Sequence, residues 1–139
     1  MDPFEKVAIG DTGVEVTRLG LGGAPLGGMV LADGIFQGSG YQEALVLIRR
    51  AYEMGVRYFD TAPMYGDGRS ETRYGRVLGE FPRASYAIST KASRILRPTD
   101  PDDLEPYSED GIPHFAYDFD FSAVGIRASL YASLERLRL

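Results

Sequence analysis

The chain has no cysteine and only one histidine among its 139 residues. Without cysteine there is no disulfide framework and no thiolate nucleophile. One histidine and no cysteine also argue against a zinc site of the usual ligand types, and no metal is expected. Basic charge is scarce: 15 Lys and Arg stand against 20 Asp and Glu, a net charge of −5. A nucleic acid or an anionic membrane rewards basic patches, so neither is expected as a partner. No apolar run is long enough to cross a bilayer. The opening "MDPFEKVAIG" lacks a basic region followed by an apolar stretch, so it does not read as a secretory signal, and a cytoplasmic location is the expectation. There is no internal repeat and no low-complexity tract.

What remains is an ordinary globular composition, 44% hydrophobic and 25% charged, at a length that suits one domain. "VAIGDTGVEV" places a turn signal between two β-rich pieces and predicts a small N-terminal hairpin. "VTRLGLGG" (16–23) reads as a strand running into a glycine-rich loop, 24–40. In "SGYQEALVLIRRAYEMG", Ser39 and Gln42 have capping-box spacing. Ala44, Leu45, Ile48, Ala51 and Tyr52 then share one helical face, and Gly55 suits the C-terminal end. "VRYFDTA" (56–62) is a second strand. Ser70 is a candidate N-cap with Glu71 serving the first turn of its helix, and Tyr74, Val77, Leu78 and Phe81 form the next apolar stripe. "YAISTKA" (86–92) is a third strand. A long polar loop over 93–121 leads to a third helix opened by Ser122, with a stripe of Ile126, Leu130, Leu134 and Leu137.

The order βαβαβα after a hairpin predicts parallel strands with right-handed crossovers. A doubly wound sheet and a (β/α)8 barrel both suit it. The open sheet wants Gly-x-Gly-x-x-Gly running straight into a helix, and the glycines at 20, 22, 23, 27 and 28 are followed by a long loop instead. A barrel has about 250 residues, and "SLERLRL" is still in helical period at Leu139. Residues 1–139 therefore read as the N-terminal part of a single barrel domain, a hairpin and about the first three βα units.

In a parallel barrel the working groups stand at the C-terminal ends of the strands. Asp60 ends the second strand, Tyr65 follows in its loop and Lys91 ends the third. A free phenol is too weak an acid or base for work at neutral pH, and an ammonium beside it stabilises the phenolate. An aspartate holding that ammonium completes a tyrosine able to exchange a proton at a carbonyl or alcohol oxygen, as hydride transfer requires. Taken singly, each residue has a plain explanation: Asp60 as a turn residue, Tyr65 as a half-buried aromatic, Lys91 as a solvated strand end. The joint pattern favours chemistry. Gly22 and Gly23 either let a cofactor approach or only form a tight turn. Arg94 and Arg97 read as a solvated face, and His114 as an ordinary loop residue.

"GVRYFDTAPMYGDGRSE", followed by "STK" and preceded by "RLGLGG", resembles the aldo-keto reductase superfamily, over about Val7 to Leu139. The resemblance implies a (β/α)8 barrel with an N-terminal hairpin, and NADP- or NAD-dependent reduction of carbonyls or oxidation of alcohols. It places catalytic roles on Asp60, Tyr65 and Lys91 and cofactor contacts on Gly22, Gly23 and Asp60. "SRILRPTD" and "YDFDFSAVGIRASLYASLERL" further resemble the branch of L-fucose, D-galactose and D-threo-aldose 1-dehydrogenases, with pyridoxal 4-dehydrogenase close by. An aldehyde, ketone or aldose is then the implied partner, with oxidation of an aldose at C1 as the reaction. The family's catalytic histidine at the end of the fourth strand has no counterpart among these residues. The 139 residues alone are accordingly expected to be inactive. Two other readings remain: a Schiff-base lyase using Lys91 on the same barrel, and a non-catalytic regulatory or binding member of the superfamily.

Overall fold

A computed structural model describes residues 1–28, 38–98 and 115–139. His114 lies outside them. Strands β1 (Lys6–Ala8) and β2 (Glu15–Thr17) pair antiparallel, the predicted hairpin. β3 (Leu21–Gly22), β4 (Tyr58–Asp60) and β5 (Ala87–Ser89) form a parallel sheet in the order β3-β4-β5. Helix α1 (Tyr41–Met54) connects β3 to β4, and α2 (Arg69–Leu78) connects β4 to β5. Helix α3 (Ala123–Leu137) closes the described chain.

The stretch 16–23 is two strands and not one. Thr17 ends β2 by donating its hydroxyl to the Leu19 carbonyl (2.7 Å) and accepting from the Arg57 amide (2.9 Å). The chain turns there and re-enters the sheet as β3. The stretch 93–121 is also not loop throughout. Its ends form β6 (Arg94–Pro98) and β7 (Phe115–Phe119), paired antiparallel from Arg94↔Phe119 to Pro98↔Phe115. Side chains across that ladder explain the pairing. The Arg94 guanidinium lies 4.2 Å from the Tyr117 ring centroid and 4.6 Å from that of Phe119, and Arg97 is ion-paired with Asp118. Arg94 is thus a cross-strand partner of two rings, while Arg97, its side chain 64% exposed, lies on a solvated face as expected and pairs there with Asp118.

Apolar periodicity places α1 and α2 correctly. Ala44 and Ile48 are fully buried with Tyr74, Val77 and Leu78, and they meet Phe59 of β4 in one core. Tyr52 and Phe81 stack across the two helices at 3.8 Å, and Phe59 meets Tyr74 edge-on at 5.6 Å. Gly55 ends α1 at φ 111°, a left-handed conformation that suits glycine.

Two of the three predicted caps differ. Gly40 caps α1 without any side-chain bond. Ser39 instead gives its carbonyl to Arg73 (3.2 Å). Helix α2 starts one residue before Ser70, after Gly68 at φ 87°, and Ser70 is buried against the Thr61 hydroxyl (2.9 Å). Ser122 does cap α3, accepting from the Gly125 amide (3.1 Å). The inward face of α3 is Gly125, Ser129, Ser133 and Leu137, while Ile126 and Leu130 are exposed. The small residues meet close neighbours: a Cβ on Gly125 would run into the Asp120 side chain, and the Ser129 hydroxyl donates to the Arg94 carbonyl of β6 (3.0 Å). Helix α2 approaches the other end of α3, where a Cβ on Gly75 would lie 2.8 Å from the Leu137 Cα. Among the described residues no helix is long and apolar enough to cross a membrane.

Candidate active site

Parallel pairing sets Asp60 of β4 opposite Ser89 of β5 and Gly22 of β3 opposite Asp60. All three strands point the same way, so their C-terminal ends share one edge. Lys91, two residues beyond β5, reaches back across that edge. Its Nζ donates to both Asp60 carboxylate oxygens (2.8 Å each) and to the Thr61 carbonyl (2.7 Å). The Ser89 hydroxyl donates to Asp60 Oδ1 (2.6 Å). The carboxylate is therefore held by two donors on β5 and its extension.

Tyr65 comes to the same place by a different route. After Asp60 the chain turns through buried Thr61, Ala62 and Pro63, and the Tyr65 amide donates to the Ala62 carbonyl (3.1 Å). The loop is laid on the β3 loop at van der Waals range: a Cβ on Gly27 would meet the Gly66 amide nitrogen at 2.6 Å. This seats the half-buried Tyr65 ring with its centroid 5.4 Å from Lys91 Nζ. Asp60, Tyr65 and Lys91 thus converge as their positions on the strands predict.

The two glycines face different surroundings. A Cβ on Gly22 would meet nothing within 4 Å, so the backbone beside Asp60 fronts open space. A Cβ on Gly23 would run into the Ser70 hydroxyl and lie 2.8 Å from Tyr74 and 2.9 Å from the Asp60 carbonyl. The Gly23 amide also donates to that carbonyl (2.7 Å). Beneath this contact Tyr74 is fully buried and donates to the Leu21 carbonyl (2.8 Å). Burial, and next the Asp60 charge, push the Tyr74 phenol far above its ordinary pKa, so it stays a neutral donor.

A cavity of about 170 Å³ opens beside Lys91, with Met64, Arg94 and Phe119 in its wall. A larger one, about 430 Å³, lies between the hairpin and Arg57, Arg83 and β5. It includes none of Asp60, Tyr65 or Lys91, and of these three the smaller cavity is lined by Lys91 alone.

Sequence reading missed three residues that support the site. Ser89 shares a strand face with Lys91 at two-residue spacing, a signal that was available. Thr90 and Glu71 gave no such signal. Glu71 is fully buried and spends its carboxylate on the Thr90 hydroxyl (2.5 Å) and on Arg136 Nε (2.6 Å), so it does not serve the helix N-terminus as predicted.

The aldo/keto reductase family profile matches residues 18–139. Among curated proteins, D-threo-aldose 1-dehydrogenase of Pseudomonas sp. is 38% identical over 91% of this chain. L-galactose dehydrogenase of Arabidopsis thaliana is 34% identical over 100% of it, and pyridoxal 4-dehydrogenase of Microbacterium luteolum is 39% identical over 96%. The chain spans 38%, 36% and 40% of those three proteins' own lengths. Among solved structures, glycerol dehydrogenase of Gluconobacter oxydans superposes with a TM-score of 0.68 at 25% identity, over 98% of this chain and 36% of that one. The structural relatives are (β/α)8 barrels, of which these residues form a partial α/β unit with a parallel sheet. The chain belongs to the aldo/keto reductase family.

Proposed function

We propose that these residues are the N-terminal part of one barrel domain whose full-length protein is an NAD(P)-dependent oxidoreductase oxidising an aldose at C1. Three of the relatives carry dehydrogenase names, two of them for sugars, which supports a small carbonyl or sugar substrate. A bound NAD or NADP supplies the hydride acceptor. Gly22, with open space before it, and Asp60 at the adjoining strand end would hold the nicotinamide side. Gly23 brings that backbone forward by packing tightly on Tyr74 and Ser70.

The chain's own part in the reaction is proton transfer. As C1 of the sugar gives up hydride, its hydroxyl proton passes to Tyr65, and the sugar leaves as the lactone. Lys91 keeps a positive charge near the phenol, where it stabilises the negative form. Asp60 orients Lys91 and neutralises it when the phenol is uncharged. The observation that supports this reading most directly is the grip on Lys91 Nζ by three acceptors, with the Tyr65 ring 5.4 Å away. The same grip disfavours a Schiff-base role, because a nucleophilic amine must be free of such acceptors.

Tyr65→Phe in the full-length protein tests the assignment. The ring stays and only the proton carrier goes, so turnover should fall at least about 10²-fold while cofactor affinity by fluorescence titration stays unchanged. Undiminished turnover would move the proton transfer to another group.

A further inference from the structure

The backbone ladder between β4 and β5 ends where the Thr61 amide donates to the Ser89 carbonyl (2.9 Å). Lys91 lies two residues beyond that bond. Alternation along the extended chain sends the Ser89 and Lys91 side chains to Asp60 and sends Thr90 to the opposite side. There the Thr90 hydroxyl donates to Glu71 Oε1 (2.5 Å), and Glu71 Oε2 accepts from Arg136 Nε (2.6 Å) in the last turn of α3. The Glu71 side chain has no solvent exposure and that of Arg136 has 22%. Arg136 is fixed in turn by the Ser133 hydroxyl (3.2 Å).

We infer that Glu71 and Thr90 are positioning residues for Lys91, holding the strand extension against α2 and α3 so that the ammonium meets Asp60 and Tyr65. The inference rests on the catalytic reading of Lys91. A buried carboxylate cannot drift far, because leaving its donors without replacement from water is strongly unfavourable. Thr90 is thereby tied to a point fixed by two helices. Without that tie, the ammonium would be located only through flexible lysine methylenes and by its own contacts with Asp60 and the Thr61 carbonyl.

Thr90→Val in the full-length protein removes the hydroxyl at nearly constant shape and leaves the Glu71–Arg136 pair in place. It should lower kcat about tenfold, in line with the effect of small misplacements. KM should stay within about twofold. Thr90→Ser should restore kcat. Thr90→Ala reads the same quantities if the valine variant does not fold. A purely structural role would lower the melting temperature and leave kcat alone.

A second readout is independent of turnover. Lys6 and Lys91 are the two lysines of these residues, and Lys6 is exposed. Acylation by acetic anhydride, followed by mass spectrometry, gives the reactivity of Lys91 relative to Lys6. That ratio should be low in the wild type, rise severalfold in Thr90→Val and return in Thr90→Ser. A ratio that changes in a protein without dehydrogenase activity would uphold the positioning and sink the catalytic reading. An active wild type whose valine variant keeps both kcat and the ratio would overturn the positioning.

Discussion

Gly22 and Gly23 are neighbours in the chain whose replacements should fail in different ways. A methyl on Gly22 points into open space, so Gly22→Ala should unfold in urea like the wild type. If that space receives the nicotinamide, cofactor affinity should fall in the same variant. Gly23→Ala drives a methyl into Ser70, Tyr74 and the Asp60 carbonyl, an overpacking worth about 1–3 kcal/mol of stability. Equal cofactor affinity in Gly22→Ala and the wild type would remove Gly22 from the site. Tyr74 adds a pH dependence. Its folded pKa lies above the unfolded value of about 10, so above that pH the unfolded chain releases a proton that the folded chain keeps. The contribution of this group should therefore be constant below pH 10 and fall above it, by up to about 1.4 kcal/mol per pH unit. Tyr74→Phe should flatten that slope in alkaline denaturation curves. At this scale Asp60 and Lys91 were legible because both stand at or just past the C-terminal ends of neighbouring parallel strands, and Tyr65 because it stands in the loop just after one of them. Glu71 was not, since an acid in a first helical turn already has a sufficient local explanation. Its partner Arg136 is 65 residues away.

Among the elements, Ser39 and Ser122 look alike in sequence and behave differently. Ser122→Ala should lose about 1 kcal/mol in urea unfolding, because its hydroxyl accepts from the Gly125 amide. Ser39→Ala should lose almost no capping energy, since Gly40 is the cap and no side chain bonds there. One capping box and two single caps were read from the sequence, but tertiary demands moved two of the three. The Arg73 guanidinium takes the Ser39 carbonyl, and buried Thr61 takes the Ser70 hydroxyl. Hydrophobic periodicity placed α1 and α2 because both cover the sheet with large apolar side chains. It misled on α3, whose inward face sets Gly125 against Asp120 and Ser129 against the β6 backbone. Removing Arg136, by Arg136→Met, should cost about 3 kcal/mol, since Glu71 would remain buried beside one neutral donor. A loss under 1 kcal/mol would show that water reaches the carboxylate.

For the molecule as a whole, three parallel strands leave the outer sides of β3 and β5 without a partner strand among the described residues. Unpaired edges and exposed apolar side chains such as Ile126 and Leu130 favour association. The 139 residues alone are expected to sediment as more than a monomer and to form no NAD(P)H from common aldoses. A monodisperse, active preparation would show that three βα units suffice. The barrel order was legible from the succession of periods; the β6–β7 pairing was not, because its cross-strand contacts join residues about twenty apart with no regular alternation between them. The site has one more property that follows from its address in the chain. Asp60 and Lys91 are only 31 residues apart, and Tyr65 lies between them. A ribosome adds about 5–20 residues each second, so the two ends of the ion pair leave it within seconds of each other. Helices and loops of that length close in microseconds. The pair can thus be made before α3 is translated, and the Glu71–Arg136 contact that steadies Thr90 is added only when α3 arrives.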